Sequence, residues 1–453
     1  MKEQSIAHKF NHMGITRFHQ KVTAVVGIGM FFDIFDIFLA GVLATVLAKQ
    51  FHVSSAALPL IIGSGFLGMF LGSIFLSGLA DKMGRRKAYL FNLSTYSLFT
   101  LLGAFSGNAA MLIVFRFLAG FGIGAELPLS DTYLSEILPA AQRGRYISWA
   151  YTLSFVAIPV VGFAARGLVP AHPLGLAGWR WLFIIGALGA VIVWFLRRSL
   201  PESPRWLELQ GRHQEAEEIF KQFESSGYVG VQSPVIQEET DLPADTKLPV
   251  SVLFGPIYIK RTLMLYVFQI LQSVGYYGFG TLVPVVLATK GYTVTHTLLY
   301  TALSFIGYPV GSLLSLPIVE RIDRKWLIVI SAFFMGVFGM AFGFSGSPGM
   351  IVLFGFIYTL VSNVFSNALH IFQAEIFPTS VRATAAGSAY SLSRLASGAL
   401  PFVLLPVLKQ YGSGAMFGVV GIAMLILMID VAAFGPKTTG RPLESVNEIS
   451  INA

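Results

Sequence analysis

The feature that most constrains this chain is a series of twelve apolar runs, each long enough to cross about 30 Å of membrane hydrocarbon as a helix. Only 12% of its 453 residues are charged, against roughly a quarter in ordinary soluble proteins. A soluble two-domain enzyme would have no use for such runs, so the sequence predicts an all-α membrane protein with twelve transmembrane helices. The runs cover residues 22–47, 57–80, 88–106, 110–134, 145–168, 179–198, 262–288, 296–319, 326–344, 349–373, 382–406 and 412–434.

The longest polar stretch divides these runs into two sets of six. We therefore predict an N-terminal six-helix bundle in residues 1–198, a cytoplasmic linker in 199–261, and a C-terminal six-helix bundle with a short tail in 262–453. The linker begins with a charged amphipathic piece over residues 204–224, which predicts a helix, and continues with a tract rich in Ser, Gly and Pro.

Two charged motifs recur at an offset of 239 residues, which indicates an internal repeat. Both copies of each motif fall on the same predicted side of the membrane, so we expect the halves to be parallel repeats. These charges are expected to form a latch that closes in one conformation and opens in the other; setting the topology alone is the alternative. The aligned residues are Asp81, Lys82, Arg85 and Arg86 with Glu320, Arg321, Arg324 and Lys325, and Glu136, Pro139 and Arg143 with Glu375, Pro378 and Arg382.

Lysine and arginine are distributed unevenly between the two sets of loops. The positive-inside rule predicts that the termini and the linker, which lie on the richer side, are cytoplasmic, as in a multi-pass protein of a bacterial inner membrane. The net charge of +8 is thereby attributed to topology and not to nucleic-acid binding. The other side keeps only Lys49, Arg166, Arg180, Lys290 and Lys409.

Carboxylates near the middle of the first and fourth runs are candidates for proton coupling. Asp33 and Asp36 lie about one helical turn apart, and two carboxylates so close and so far from water should not both be ionised. One of them is expected to bind a proton, the coupling ion, unless it pairs locally in a broken helix. Glu126 also lies near mid-depth, but Pro128 beside it fits a structural role equally well.

Two more charges lie on the fourth run, and one isolated cation lies on the eleventh. Arg116 is expected to pair with an unidentified acidic residue as part of the gate, and Asp131 is expected to join Glu136 and Arg143. Arg394 lies about 18 Å from the cytoplasmic end. Its planar guanidinium suits a substrate carboxylate, although pairing with Asp33 or Asp36 across the halves stays open.

Polar side chains on the seventh and tenth runs are candidates for substrate binding. They can hydrogen-bond a small solute, and the tyrosine rings offer a stacking surface. Hydrogen bonds between helices would explain them equally well, and His370 could instead be a second proton carrier. The candidates are Gln269, Gln272, Tyr276 and Tyr277 on the seventh run and Asn363, Asn367 and His370 on the tenth.

Several motifs resemble those of a known family. Residues 78–87 (GLADKMGRRK) resemble the cytoplasmic signature of the major facilitator superfamily. Residues 116–124 (RFLAGFGIG), 201–207 (PESPRWL) and 375–382 (EIFPTSVR) resemble its sugar-porter-like and organic-ion branches. Residues 32–36 (FDIFD) resemble the paired-aspartate motif of aromatic-acid and nicotinate proton symporters, with Ile34 where the aromatic-acid pattern has glycine.

This resemblance implies two six-helix bundles that rock about a central site and give alternating access. The expected function is proton-coupled uptake of a small monocarboxylate of the nicotinate or benzoate type, with Arg394 holding the anion and Asp33 or Asp36 carrying the proton. The alternatives are a sugar or polyol symporter or facilitator, an organic-cation or drug exporter, and a transporter-like sensor. The sequence holds no nucleotide loop, metal cluster or activated nucleophile, so we expect no enzymatic activity, no metal and no cofactor besides the proton. The chain is expected to act as a monomer in the bilayer.

Overall fold

The computed structural model describes residues 6–54, 57–139, 142–229, 250–319, 321–377 and 379–438. Ordered structure in these ranges is α-helical, apart from two short 3-10 turns and one isolated bridge between Thr16 and Tyr228.

Each of the twelve predicted runs is mainly helical; four of them contain a break, and the last two belong to one continuous stretch. The first six are α1 (Arg17–Val42, continued by Ala44–Gln50), α2 (Leu58–Met83), α3 (Arg85–Ala104), α4 (Ala109–Ile123 and Glu126–Ile137), α5 (Arg143–Phe155 and Ala157–Leu168) and α6 (Gly178–Arg198). The next four are α7 (Ile259–Thr289), α8 (Val294–Phe305 and Gly307–Val319), α9 (Arg324–Phe344) and α10 (Pro348–Glu375). The last two form one helical stretch, Thr379–Phe434, which bends at Gly412 into α11 (379–411) and α12 (413–434).

Ten stretches within the described ranges are long and apolar enough to cross a membrane. One of them, Thr384–Phe434, has 51 residues, which is enough for two crossings of about 20 residues each. The 20-residue α3 is not among the ten, since it carries polar side chains such as Asn92 and Thr100 along its buried face. The predicted fold of twelve membrane helices is therefore confirmed.

The turn between α2 and α3 is shorter than the sequence suggested. The predicted runs end at 80 and resume at 88, whereas a single residue, Gly84, separates the two helices. Gly84 has φ +95°, in the region that favours glycine, and a Cβ atom there would collide with the Glu202 carboxylate. The helices extend further than their apolar runs because a turn this tight needs no loop.

The two sets of six helices contact each other mainly along three helix pairs. On α1 and α7, a Cβ at Gly41 would lie 2.6 Å from the Thr281 Cα, so the backbones touch there. The α2–α11 contact includes a hydrogen bond of 2.9 Å between the Ser73 and Ser391 hydroxyls. The α5–α8 contact includes one of 2.8 Å between Thr152 and Ser312. The interface between the halves combines these small and hydroxylated residues with aromatic ones such as Phe38, whose ring lies 6.0 Å from that of Phe305.

Short helices cover one end of the first six helices, here called the linker end. The predicted amphipathic helix forms two pieces, Pro204–Leu209 and His213–Ser225, and the second buries Ala216, Ile219 and Phe223. The N-terminal helix Ile6–His12 packs on them through the Phe10 ring, 5.2 Å from that of Phe223. The chain before α1 and the linker after α6 therefore form one cap on this end.

Candidate transport site

The repeated motifs form equivalent ion pairs at the linker end. Arg85 Nη2 lies 3.0 Å from Glu136 Oε1 between α3 and α4, and Arg324 Nη2 lies 3.4 Å from Glu375 Oε1 between α9 and α10. Both pairs join residues that the offset of 239 aligned. The sequence-level repeat is therefore a repeat of contacts in space as well.

Other predicted latch residues contact the cap or lie outside the described part. Arg86 donates to the Arg198 carbonyl, and Arg143 donates to the Asn11 side chain at 3.0 Å instead of joining Glu136. Glu202 accepts from the Arg85 amide at 2.7 Å, and burial raises the pKa of its carboxyl while such bonds lower it. Glu320 and the side chains of Asp81 and Arg382 are not described.

A buried ion pair links α1 to α4. Arg116 Nη1 lies 2.5 Å from Asp36 Oδ2, and Arg116 Nη2 also donates to the Asp36 carbonyl at 3.1 Å. Thr100 on α3 donates to Asp36 Oδ1 at 3.2 Å. The acidic partner of Arg116, which the sequence did not identify, is therefore Asp36.

A second buried pair joins Glu126 on α4 to Arg197 on α6. Asn92 donates to Glu126 Oε2 at 3.3 Å, and the Arg197 guanidinium lies 4.1 Å from the centre of the Tyr89 ring. Arg197 was not a predicted site residue because it ends an apolar run, where an arginine is expected to mark topology. In the structure it is fully buried.

Asp33 is a buried carboxylate without a hydrogen bond to any described residue. Neither of its oxygens has a partner, and the side chain is 0% exposed. Arg197 and Asp36 lie within electrostatic range of it. Asp33 and Asp36 therefore both lie inside the first bundle, as their spacing suggested, but in different environments.

Arg394 on α11 is a buried cation held between aromatic rings. Its guanidinium carbon lies 4.4 Å from the centre of the Tyr390 ring and 4.9 Å from that of Tyr277. Nη2 contacts the Tyr390 hydroxyl, whereas Nη1 has no hydrogen-bond partner in the described ranges. The possible pairing with Asp33 or Asp36 does not occur in this structure.

The polar residues of α7 and α10 are engaged in hydrogen bonds between helices. Gln269 donates to Gln373 at 2.9 Å, and Gln272 donates to the Ser393 hydroxyl at 2.9 Å. Tyr276 donates to Asn363 Oδ1 at 3.2 Å. These bonds agree with the alternative that the polar residues join helices to each other. A role in substrate binding stays a prediction.

Asn367 lines a cavity between the halves, and His370 directly precedes Ile371, which also lines it. The cavity has a volume of about 1260 Å³, opens at the linker end, and is lined from both halves, by Ser148 and Trp149 of α5 and by Asn367 and Ile371 of α10. Asn367 donates to the Ser315 hydroxyl at 2.6 Å. Both halves therefore contribute to the walls of this cavity.

Tyr151 of α5 contacts the other half near this cavity. It also holds Asp131, whose predicted partners were wrong. The Tyr151 ring of α5 lies 5.0 Å from the His370 ring of α10, and the Tyr151 hydroxyl donates to Asp131 Oδ2 at 2.9 Å. Asp131 was expected to join Glu136 and Arg143. It turns toward α5 because a tyrosine hydroxyl is available there, one helical turn deeper.

Comparison with known proteins decides the family. The sequence profile described as sugar (and other) transporter matches residues 22–449, nearly the whole chain. The chain belongs to this family of the major facilitator superfamily. The resemblance inferred from its motifs is therefore confirmed, and the protein is a multi-pass membrane transporter and not an enzyme.

Relatives within the family are similar along almost their full length. The chain is 32% identical to a putative metabolite transport protein, YyaJ, of Bacillus subtilis, with 96% of each chain covered. It is 30% identical to the niacin transporter NiaP of Acinetobacter baylyi, with 97% of this chain and 99% of the relative covered. Among solved structures, the xylose transporter XylE from E. coli matches with a TM-score of 0.76 at 21% identity, over 94% of this chain and 99% of the other. The last comparison shows a shared fold.

Proposed function

We propose that this transporter couples proton movement to the uptake of a small organic monocarboxylate of the nicotinate or aromatic-acid type. The observation that carries the proposal is the open guanidinium nitrogen of Arg394, buried between Tyr277 and Tyr390. The relative named as a niacin transporter supports the same substrate class.

The environment of Arg394 favours an anionic ligand. A buried charge without a counter-charge is costly, and no carboxylate of the described residues pairs with this one. A planar carboxylate accepts two parallel hydrogen bonds from a guanidinium, and the tyrosine rings provide surface for an aromatic ring. The ligand would supply the missing counter-charge, which a neutral solute cannot do.

The proposal assigns the transported proton to Asp33. Asp36 and Glu126 each face an arginine that neutralises their charge, whereas Asp33 has no hydrogen-bond donor among the described residues. A buried acid without a donor is less costly to bury when it is neutral. Binding and release of one proton at Asp33 would change the charge inside the first bundle by one unit.

We further propose that the linker end is cytoplasmic and that the protein acts as a monomer in a bacterial inner membrane. The predicted cytoplasmic loops hold most of the lysines and arginines. With that orientation, the cavity at the linker end would release substrate into the cell.

Transport of a sugar or polyol is the second candidate. It is favoured by the buried side-chain amides of Gln269 and Gln272, which could exchange their interhelical bonds for sugar hydroxyls. A neutral sugar or polyol would leave the Arg394 guanidinium without a counter-charge.

A thermal-shift screen of the purified protein tests the proposal, because a ligand that binds the folded state raises its apparent stability. Nicotinate and benzoate should raise the melting temperature of the wild type and of the Gln269→Ala variant, but not that of Arg394→Ala. Stabilisation by xylose or a polyol alone, or by carboxylates in Arg394→Ala as well, would overturn it.

A further inference from the structure

Asp131 on α4 presents one occupied and one open carboxylate oxygen. Oδ2 accepts the bond from the Tyr151 hydroxyl at 2.9 Å. Oδ1 is buried and has no hydrogen-bond partner within the described ranges. A carboxylate oxygen can accept two hydrogen bonds, so an unused buried one is costly unless something binds it.

Asp131 is linked to the interface between the halves through Tyr151. Tyr151 contacts His370 of the other half. Tyr390, which contacts Arg394, also lies within electrostatic range of Asp131. Tyr390 is therefore near both the carboxylate of one half and the guanidinium of the other.

The two groups near Tyr390 are complementary but do not pair with each other. One is a guanidinium nitrogen that lacks an acceptor, and the other is a carboxylate oxygen that lacks a donor. A ligand with an anionic group at one end and a hydroxyl or amino group at the other would satisfy both. A ligand with an anionic end alone would leave the Asp131 oxygen unsatisfied.

We propose that Asp131 is a specificity-determining residue that binds a hydrogen-bond donor at the end of the transported acid opposite its carboxylate. The inference rests on the proposed function, since Arg394 must hold the carboxylate. The proposed function alone predicts no difference in affinity among these acids. With Asp131 as a ligand, 4-hydroxybenzoate and 4-aminobenzoate should bind more tightly than benzoate. Nicotinate, whose ring nitrogen accepts and does not donate at neutral pH, gains nothing from Asp131.

Isothermal titration calorimetry of the wild type and of two variants tests this assignment. The wild type should bind 4-hydroxybenzoate about tenfold or more tightly than benzoate, the range expected for a hydrogen bond to a charged group. In Asp131→Asn this preference should fall to about twofold or less, with the affinity for benzoate unchanged, because the amide removes the charge that strengthens the bond. Tyr151→Phe keeps the carboxylate and should keep the preference.

The possible outcomes separate this inference from the proposed function. A wild type that binds benzoate and 4-hydroxybenzoate equally overturns the role of Asp131 and leaves the proposed function standing. Equal losses for both ligands in Asp131→Asn and Tyr151→Phe would also overturn it, since they indicate that Asp131 only orients Tyr151. A wild type that binds no carboxylate removes the proposed function and this inference together. Should Asp131→Asn not fold, Asp131→Glu displaces the carboxylate by one methylene and must lower the preference.

Discussion

Buried charges in the first bundle differ in how they are compensated. Asp36 and Glu126 each face an arginine, while Asp33 has neither an ion pair nor a hydrogen bond among the described residues. Breaking a buried pair leaves a charge in a medium that solvates it poorly, so the paired residues should matter most for stability. Neutralising Asp33 would break no ion pair among the described residues.

Removing the Glu126 charge should destabilise the protein. We expect Glu126→Gln to lower the free energy of unfolding by about 3 kcal/mol, because it leaves the Arg197 guanidinium buried without its partner. The control is Glu217→Gln, whose side chain is 34% exposed and whose pair with Lys9 should contribute about 1 kcal/mol or less. Thermal melting in detergent measures both, and equal melting temperatures for the two variants would contradict the expectation.

At this scale the sequence predicted which charges are buried better than it predicted their partners. Asp33, Asp36, Arg116 and Arg394 stood out because a charge within an apolar run must face the protein interior. Their partners depend on how helices rotate against each other, which one sequence does not contain. Arg197 was missed because a cation at the end of a run is indistinguishable from a topology signal.

Among the elements, α2 and α4 approach each other closely through their backbones. A Cβ atom at Gly68 would lie 2.0 Å from the Phe117 carbonyl oxygen, and one at Gly120 would lie 2.0 Å from that of Gly65. Backbones this close gain packing in a membrane, where apolar side chains add no hydrophobic driving force between helices. Arg116 and Glu126 lie on the same α4, so this contact also positions both buried ion pairs.

A methyl group at Gly120 should separate α2 from α4. We expect Gly120→Ala to cost about 1 to 3 kcal/mol of stability, since the Gly65 backbone cannot move aside as a side chain could. Gly418→Ala on α12 is the control, because nothing lies within 4 Å of its added Cβ. If both variants melt at the wild-type temperature, the close approach of α2 and α4 is not as described.

The positions of the long helices could be read from the apolar runs, but their interruptions could not. The breaks in α4, α5 and α8 each lie within a single apolar run, so hydropathy does not reveal them. The one-residue turn at Gly84 was missed for a related reason. The charged residues on both sides of Gly84 suggested a loop, whereas in the structure they belong to the ends of α2 and α3.

For the whole molecule, the two halves are repeats that agree in sequence offset and in contacts. The Arg85–Glu136 and Arg324–Glu375 pairs lie at the same end, and the cavity opens between the halves at that end. If that end is cytoplasmic, both pairs would act on the inner gate and would have to rearrange when the cavity closes.

Labelling of single cysteines tests the orientation. The chain has no cysteine, so Leu174→Cys, between α5 and α6, and Leu209→Cys, in the linker, each introduce one thiol at a site that is 90% or 84% exposed. In intact cells an impermeant maleimide should label Leu174→Cys and not Leu209→Cys, while a permeant one labels both. The reverse pattern would place the linker and the cavity mouth outside the cell.

Uptake into proteoliposomes tests the central claim most directly. With an imposed pH gradient, alkaline inside, the wild type should accumulate labelled nicotinate or benzoate above its outside concentration, and Asp33→Asn should exchange the substrate without accumulating it. This result would mean that Asp33 links the proton gradient to movement of the acid. Accumulation that survives collapse of the pH gradient, or that Asp33→Asn retains in full, would contradict the account.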